Sequence, residues 1–102
     1  MADSGTEAPK NIDVYELLAI CFEQITGIAW VKLGFQPDPV SQSLSIDLVQ
    51  AKAAIDAASA LSTLVESVVS SEDKSQLQTV IRNLKLNYVA KSKEQAELGP
   101  AE

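Results

Sequence analysis

Few side chains in this sequence have the chemistry for catalysis or metal binding. The 102 residues contain no histidine and a single cysteine, Cys21. Histidine is the commonest transition-metal ligand and the usual proton carrier at neutral pH, so zinc sites and histidine-based triads are excluded. Cys21 lies among apolar residues at helical spacing, which predicts a small core residue and not a nucleophile.

The remaining candidates for chemistry are pairs of charged residues and one loop aspartate. Glu16 and Glu23 are seven residues apart and share a helix face, which is the minimum for paired-carboxylate acid–base catalysis, but no phosphate loop or metal-ligand cluster accompanies them. Lys52 and Asp56, four apart, predict a solvated ion pair. Asp38, between two prolines, is typical of a turn. We therefore predict no catalytic, cofactor-binding or metal-binding residue, and a protein that is not an enzyme.

These residues require helices to position them, and the first helix is expected over 14–33. Asp13 can cap its start, with a capping box completed three residues later. Gly34 suits the left-handed position that ends a helix, and the two prolines that follow prevent its continuation. In a Schellman ending, Phe35 would fold back onto Trp30.

Two further helices are expected, over 47–69 and 71–93. Asp47 can cap the second, which is rich in alanine and therefore has high intrinsic helicity. Ser70 or Ser71 can cap the third, and the acidic residues that follow favour the positive end of the helix dipole.

The three segments predict an all-α, three-helix bundle-like domain. The second and third helices would form an antiparallel helical hairpin, against which the long apolar first helix packs. We expect one domain over 13–94, with polar, disordered tails over 1–12 and 95–102. A chain of this length can bury one core but not two.

The charge balance disfavours nucleic acid as a partner. Fourteen acidic residues outnumber eight basic ones, for a net charge of -6, whereas nucleic-acid binding normally needs the opposite balance. The C-terminal third is locally basic, which we interpret as a cationic last helical turn that complements the helix dipole; its members are Arg82, Lys85, Lys91 and Lys93. The polar N-terminus is not a signal peptide, and the single cysteine suits a reducing compartment, so we expect a cytoplasmic protein.

Apolar side chains exceed what one small core needs. Projection at about 100° per residue places Cys21, Ile25 and Ile28 on the buried seam of the first helix, yet apolar residues continue round most of that helix. The other helices show a similar excess. We therefore expect a homo-oligomer, most simply a two-fold dimer, or an accessory subunit of a larger assembly. The expected interface comprises Ile20, Glu23, Gly27, Trp30, Val31 and Leu86.

Two alternatives remain open at this stage. One is a small-molecule-binding protein or enzyme component, with a pocket lined by Trp30, Phe35 and Tyr88. The other is a membrane protein, because the first helix has spanning length. Charged residues interrupt that helix and the net negative charge is repelled by anionic lipid, so we expect no membrane insertion.

A series of short motifs follows the same order and spacing as those of a known family. They are Leu33-Gly34-Phe35, Pro37-Asp38-Pro39, Ile46-Asp47-Leu48, Ala51-Lys52, Ile55-Asp56, Leu61, Leu64, Leu84 and Tyr88-Val89. In this respect residues 13–90 resemble the small bacterial helical proteins of domain-of-unknown-function family 1844. The resemblance implies a compact, all-helical, cytoplasmic protein without an assigned activity. The chain departs from the family pattern over residues 65–71, between the second and third helices.

Overall fold

Three helices make up the fold, as the sequence predicts. A computed structural model describes residues 11–98, which form α1 (Val14–Lys32), α2 (Leu48–Glu66) and α3 (Ser71–Glu97). No strand occurs within these residues, so the all-α prediction is confirmed. The expected disorder of residues 1–10 and 99–102 concerns positions outside the described residues.

Each helix begins at a side chain that caps its free backbone N–H groups. The Asp13 side chain accepts hydrogen bonds from the N–H groups of Tyr15 and Glu16, at 2.9 and 3.3 Å. Asp47 accepts one from Gln50 at 3.1 Å, and Ser70 accepts one from Asp73 at 3.1 Å. All three caps satisfy donors that the first helical turn leaves without a partner.

The end of α1 is a Schellman motif centred on Gly34. The Gly34 N–H donates to the Val31 carbonyl at 3.0 Å and the Phe35 N–H donates to the Trp30 carbonyl at 3.1 Å, which is the hydrogen-bond pattern of that motif. Gly34 has φ of +90°, and a Cβ built there would lie 2.7 Å from Cγ1 of Ile46. Glycine is therefore required for both the backbone angle and the space.

The connection from α1 to α2 is folded onto the end of α1. The side chain of Asp38 accepts hydrogen bonds from the N–H groups of Val40 and Ser41, at 2.7 and 3.2 Å. At its far end, the Asp47 N–H donates to the Lys32 carbonyl at 2.8 Å. This last bond joins the C-terminus of α1 directly to the N-terminal cap of α2, so the two helices are held side by side.

Two helix boundaries differ from the expected ones. α2 ends at Glu66, three residues early, because Ser67 takes the C-cap position before two β-branched valines. α3 continues to Glu97, whereas the sequence predicted that the helix ends near residue 93 and that a disordered tail begins at residue 95. Lys91 and Glu94 form an ion pair at 3.5 Å across that extra turn, and no glycine or proline interrupts the chain there.

The core is built around the alanine-rich side of α2. Packing is most extensive between α1 and α2, intermediate between α2 and α3, and slight between α1 and α3. The largest completely buried side chains are Leu33 and Leu84. One cluster surrounds them and a second continues along the bundle; the buried residues are Ala29, Leu33, Ala51, Ala54, Ile55 and Leu84, then Phe22, Ala58 and Ile81.

The packing agrees with the expected hairpin of α2 and α3 with α1 packed against it, and the most extensive contact is that between α1 and α2. One expectation is corrected. The buried side of α1 is not the expected seam: Cys21 and Ile28 are exposed and Ile25 is half-buried. The buried positions of α1 are Phe22, Thr26 and Ala29.

Substituting Gly34 with alanine is expected to destabilise the fold by about 1–3 kcal/mol, because it combines a left-handed backbone angle with a clash. Urea unfolding measures the effect. Gly27→Ala is the matched control: nothing lies within 4 Å of a Cβ at Gly27, which is helical, so alanine there should stabilise by up to about 1 kcal/mol. Equal effects at the two positions would contradict the role given to Gly34.

Candidate functional site

An uncovered, largely apolar surface extends over α1 and α2. We call it the outer face. On α1, successive residues of this face are alternately four and three positions apart in the sequence, which is the spacing found in the seam of a coiled coil. Leu17 is 50% exposed, Ile28 is 38% exposed and Leu64 is 55% exposed. The full set is Leu17, Cys21, Gln24, Ile28 and Val31 on α1 with Ala57, Leu61 and Leu64 on α2.

A shallow groove of about 350 Å³ runs along the middle of the outer face. Cys21, Gln24 and Ile28 form one wall, and Ala57 and Leu61 form the other. None of the residues of the outer face is charged. A surface of this kind can bury apolar area against a partner without desolvating a charge.

Four of the six expected interface residues lie together, beside the outer face. Glu23, Gly27, Trp30 and Val31 line an open groove of about 650 Å³ between α1 and the connection that follows it, whose prolines form the opposite wall. The structure thus brings these four residues onto one surface.

Ile20 adjoins these four residues, whereas Leu86 does not. Ile20 is 50% exposed and lines a second groove, between α1 and α3, which Glu23 also lines. Leu86 is 61% exposed on α3 and lines neither groove. Five of the six residues therefore lie along two adjoining grooves of α1, and the sixth lies on another helix.

The aromatic residues of the alternative pocket pack against protein atoms. Trp30 meets Phe35 edge to face, with ring centroids 5.5 Å apart. The Lys91 ammonium lies 4.8 Å from the centroid of the Phe35 ring, a cation–π contact. Trp30 and Tyr88 both pack against the core cluster around Leu84. Trp30 also lines the open groove beside the connection, and Tyr88 lines a different groove, so these two rings face separate grooves.

The residues singled out for possible chemistry are separated from one another. Cys21 is exposed on the outer face, which corrects its expected burial. Lys52 and Asp56 form the expected ion pair, at 2.8 Å, and both side chains are largely exposed. The hydrogen bond that the Lys52 ammonium donates to the Asp56 carboxylate raises the pKa of Lys52. Within residues 11–98 no group of three potential metal ligands lies close enough to hold an ion.

Asp38 is held by its turn. The backbone N–H groups of Val40 and Ser41 lower the pKa of Asp38, and the Lys32 ammonium, 3.8 Å from its carboxylate, lowers it further. A carboxylate that accepts several hydrogen bonds is favoured in its charged form. Asp38 therefore stabilises the connection between α1 and α2.

A second apolar groove, of about 440 Å³, separates α1 from the first half of α3. It follows from the slight packing between these helices. We call it the acidic groove, because its only charged lining residues are Glu23 on α1 and Asp73 on α3. Its apolar lining includes Phe22, Leu77 and Val80. Sequence periodicity did not predict this groove, because it depends on how the helices diverge.

The basic part of α3 is not the end of a helix. The expected cationic last turn is wrong, because α3 continues to Glu97 and its last turn holds no basic residue. Arg82 and Lys85 lie near the middle of α3, more than three turns before its end, and are exposed. Complementing the helix dipole, which acts within the last turn, does not account for them.

By length and composition, α1 and α2 are each apolar enough to cross a membrane. Within the bundle, 17% of the apolar window of α1 and 33% of that of α2 are buried. Most residues of these two helices are therefore exposed or half-buried in a single copy of the chain.

The family model of a domain of unknown function (DUF1844) matches residues 7–90. The match covers most of the chain, and the chain therefore belongs to this family, which confirms the resemblance noted in its motifs. No curated protein and no solved structure matches the chain.

The stability contributed by Asp38 should depend on pH. Because the pKa of Asp38 is lowered in the folded chain, its contribution is present above the unfolded pKa of about 4 and is lost as the pH falls through the folded pKa. Asp38→Asn should therefore reduce the free energy of unfolding at pH 7, by an amount that shrinks below about pH 4.

Urea unfolding at several pH values measures this difference. Asp56→Asn is the control, since Asp56 takes part only in an exposed ion pair and should change stability little. An Asp38→Asn effect of the same size at pH 7 and at low pH would show that the carboxylate charge is not responsible.

Proposed function

We propose that the chain is a non-catalytic helical interaction module that forms a homodimer through its outer face. The observation that carries the proposal is the stripe on α1 at four–three spacing, with half-exposed Leu17 and Ile28, beside half-exposed Leu64 on α2. Helices with this spacing pack against other helices. Two copies related by a two-fold axis would form a four-helix layer from two α1–α2 pairs.

The apolar content of the outer face limits the affinity of such a dimer. Covering the exposed half of a large aliphatic side chain is worth about 1 kcal/mol. In a two-fold interface each residue contributes twice, so Leu17, Ile28 and Leu64 together contribute about 6 kcal/mol. A micromolar dissociation constant requires about 8 kcal/mol beyond the several kcal/mol of lost rotational and translational freedom, so the other apolar residues of the outer face must be buried as well. We expect burial of the whole face and a dissociation constant on the order of micromolar.

A second copy suits the outer face better than a lipid bilayer does. The net charge of -6 is repelled by the anionic lipids of a membrane surface. The same charge does not prevent dimerisation, because the outer face is uncharged and brings no carboxylates together. Gln24, in the middle of the stripe, can hydrogen-bond to its counterpart across the two-fold axis, as polar residues do at single positions of coiled-coil seams.

Replacing Leu17 and Leu64 with lysine should dissociate the dimer. Each change removes an apolar contact and buries a charge, so the dissociation constant should rise at least about tenfold per substitution. Lysine also brings the net charge closer to zero, so dissociation cannot be attributed to greater repulsion between copies. Sedimentation equilibrium measures the mass, and circular dichroism checks that helicity is unchanged.

Val40→Lys is the matched control, because Val40 is 92% exposed in the connection between α1 and α2 and lies outside the outer face. It should leave the dimer intact. A monomer mass for the natural chain at about 100 µM, well above the expected dissociation constant, would overturn the proposal. Binding to neutral lipid vesicles by a chain that remains monomeric would overturn it as well, and would assign the outer face to lipid.

Cys21 provides an independent measurement on the natural chain. It is exposed and is the only cysteine, so a maleimide reports on this position alone. We expect rapid modification at concentrations well below the dissociation constant and protection above it. Leu64→Lys should abolish the protection. A modification rate that does not depend on protein concentration would place the interface elsewhere.

A further inference from the structure

The charge of the chain is divided sharply along its length. Residues 74–93 contain five of the eight basic residues and no acidic residue; the five are Lys74, Arg82, Lys85, Lys91 and Lys93. All five lie on α3. Lys91 is engaged by Glu94 and by the Phe35 ring, whereas Arg82, Lys85 and Lys93 are exposed and form no ion pair within residues 11–98.

The exposed cations share a helix face with exposed apolar residues. Arg82, Leu86, Val89 and Lys93 follow one another at spacings of four, three and four, so they lie in one row along α3. Leu86 is 61% exposed and Val89 is 52% exposed. We call this row the basic row. It has apolar residues in the middle and a cation at each end, which is the pattern of a helix that docks into an apolar groove with acidic edges.

The acidic groove has the complementary pattern. Its apolar lining includes Phe22, Leu77 and Val80. Each wall carries one carboxylate, that of Glu23 on α1 and that of Asp73 on α3. No basic residue lines it. A helix that enters the groove would cover the apolar lining and bring its cations close to the two carboxylates.

We propose that the basic row of one copy of the chain docks into the acidic groove of a second copy. Leu86 and Val89 would contact the apolar lining, and Arg82 and Lys93 would face the acidic walls. This contact goes beyond the dimer proposed above, because it uses neither α2 nor the outer-face stripe of α1 as its main surface, and it does not depend on that dimer.

The partner must be a second copy, because the basic row cannot reach the groove of its own chain. The groove is lined by residues 73–80 of α3, and the basic row lies further along the same continuous helix. The contact joins two unlike surfaces, so it closes into a symmetric pair when each copy supplies both surfaces, or extends from copy to copy.

Salt separates this contact from the outer-face dimer. Attraction between exposed charges is screened as ionic strength rises, whereas apolar burial is not. The test therefore uses a chain that carries Leu17→Lys and Leu64→Lys to remove the outer-face contact. In this background, association should persist at about 20 mM salt and weaken at least tenfold at about 500 mM, where the Debye length is only a few Å.

Charge reversal identifies the two surfaces. In the same background, Glu23→Lys alone and Arg82→Glu alone should each weaken association at low salt about fivefold or more. A mixture of the two variant chains should recover affinity, because the lysine introduced at position 23 of one chain then faces the glutamate introduced at position 82 of the other. Fluorescence anisotropy of a dye on Cys21, followed on titration with unlabelled chain, measures the dissociation constants.

Asp56→Lys and Lys52→Glu are the matched controls, because they make the same charge changes at an exposed pair on α2 and should have little effect. Loss of association in Glu23→Lys without recovery in the mixture would overturn the proposal, as would association that is insensitive to salt. Binding of heparin by the natural chain, abolished by Arg82→Glu while self-association is unchanged, would also overturn it and would assign the basic row to an anionic ligand.

The two proposals fail in distinguishable ways. If the outer face is not an interface, Leu17→Lys and Leu64→Lys leave the mass of the natural chain unchanged at high salt. If the basic row does not dock, the same double variant is monomeric at low salt. The salt dependence and the charge-reversal mixture report only on the second contact.

Discussion

The close approach of α1 to the alanine side of α2 is the constraint on which the rest of the structure depends. Ala51, Ala54 and Ala58 are buried at this contact, and such short side chains leave little space between the helices for larger ones. The core therefore accommodates few large residues in its centre, Leu33 and Leu84 being completely buried. The other large apolar side chains of α1 are consequently placed at the edges of the bundle or outside it.

The same constraint explains why the molecule has two uncovered apolar surfaces of different character. α1 packs on α2 with one side only, so the adjoining side of α1 remains uncovered and forms the outer face together with α2. Because α1 packs along α2 and only slightly against α3, a groove opens between α1 and the first half of α3. One surface is uncharged and the other has acidic walls, so they favour different kinds of contact.

Most of the helix boundaries could be predicted from local chemistry, whereas the side of α1 that packs into the core could not. Asp13, Asp47 and Gly34 act within one turn of their own position, and their roles follow from residue type. Apolar residues surround most of α1, and periodicity centred the expected seam on Cys21, Ile25 and Ile28, with Phe22 and Ala29 at its edge. In the structure Phe22 and Ala29 are buried, together with Thr26. The side that is buried depends on the shape of α2, which a projection of α1 alone does not include.

The uneven distribution of charge makes the proposed self-association compatible with a net charge of -6. Coulomb repulsion between two copies depends on which groups approach, because exposed charges more than about 8–10 Å apart are largely screened at physiological ionic strength. An uncharged face brings no carboxylates together. In the contact proposed above, the basic segment that contains Arg82 would approach Glu23 and Asp73, and part of the repulsion between two acidic copies would be replaced by attraction. The uneven distribution of charge therefore matters more for assembly than its total.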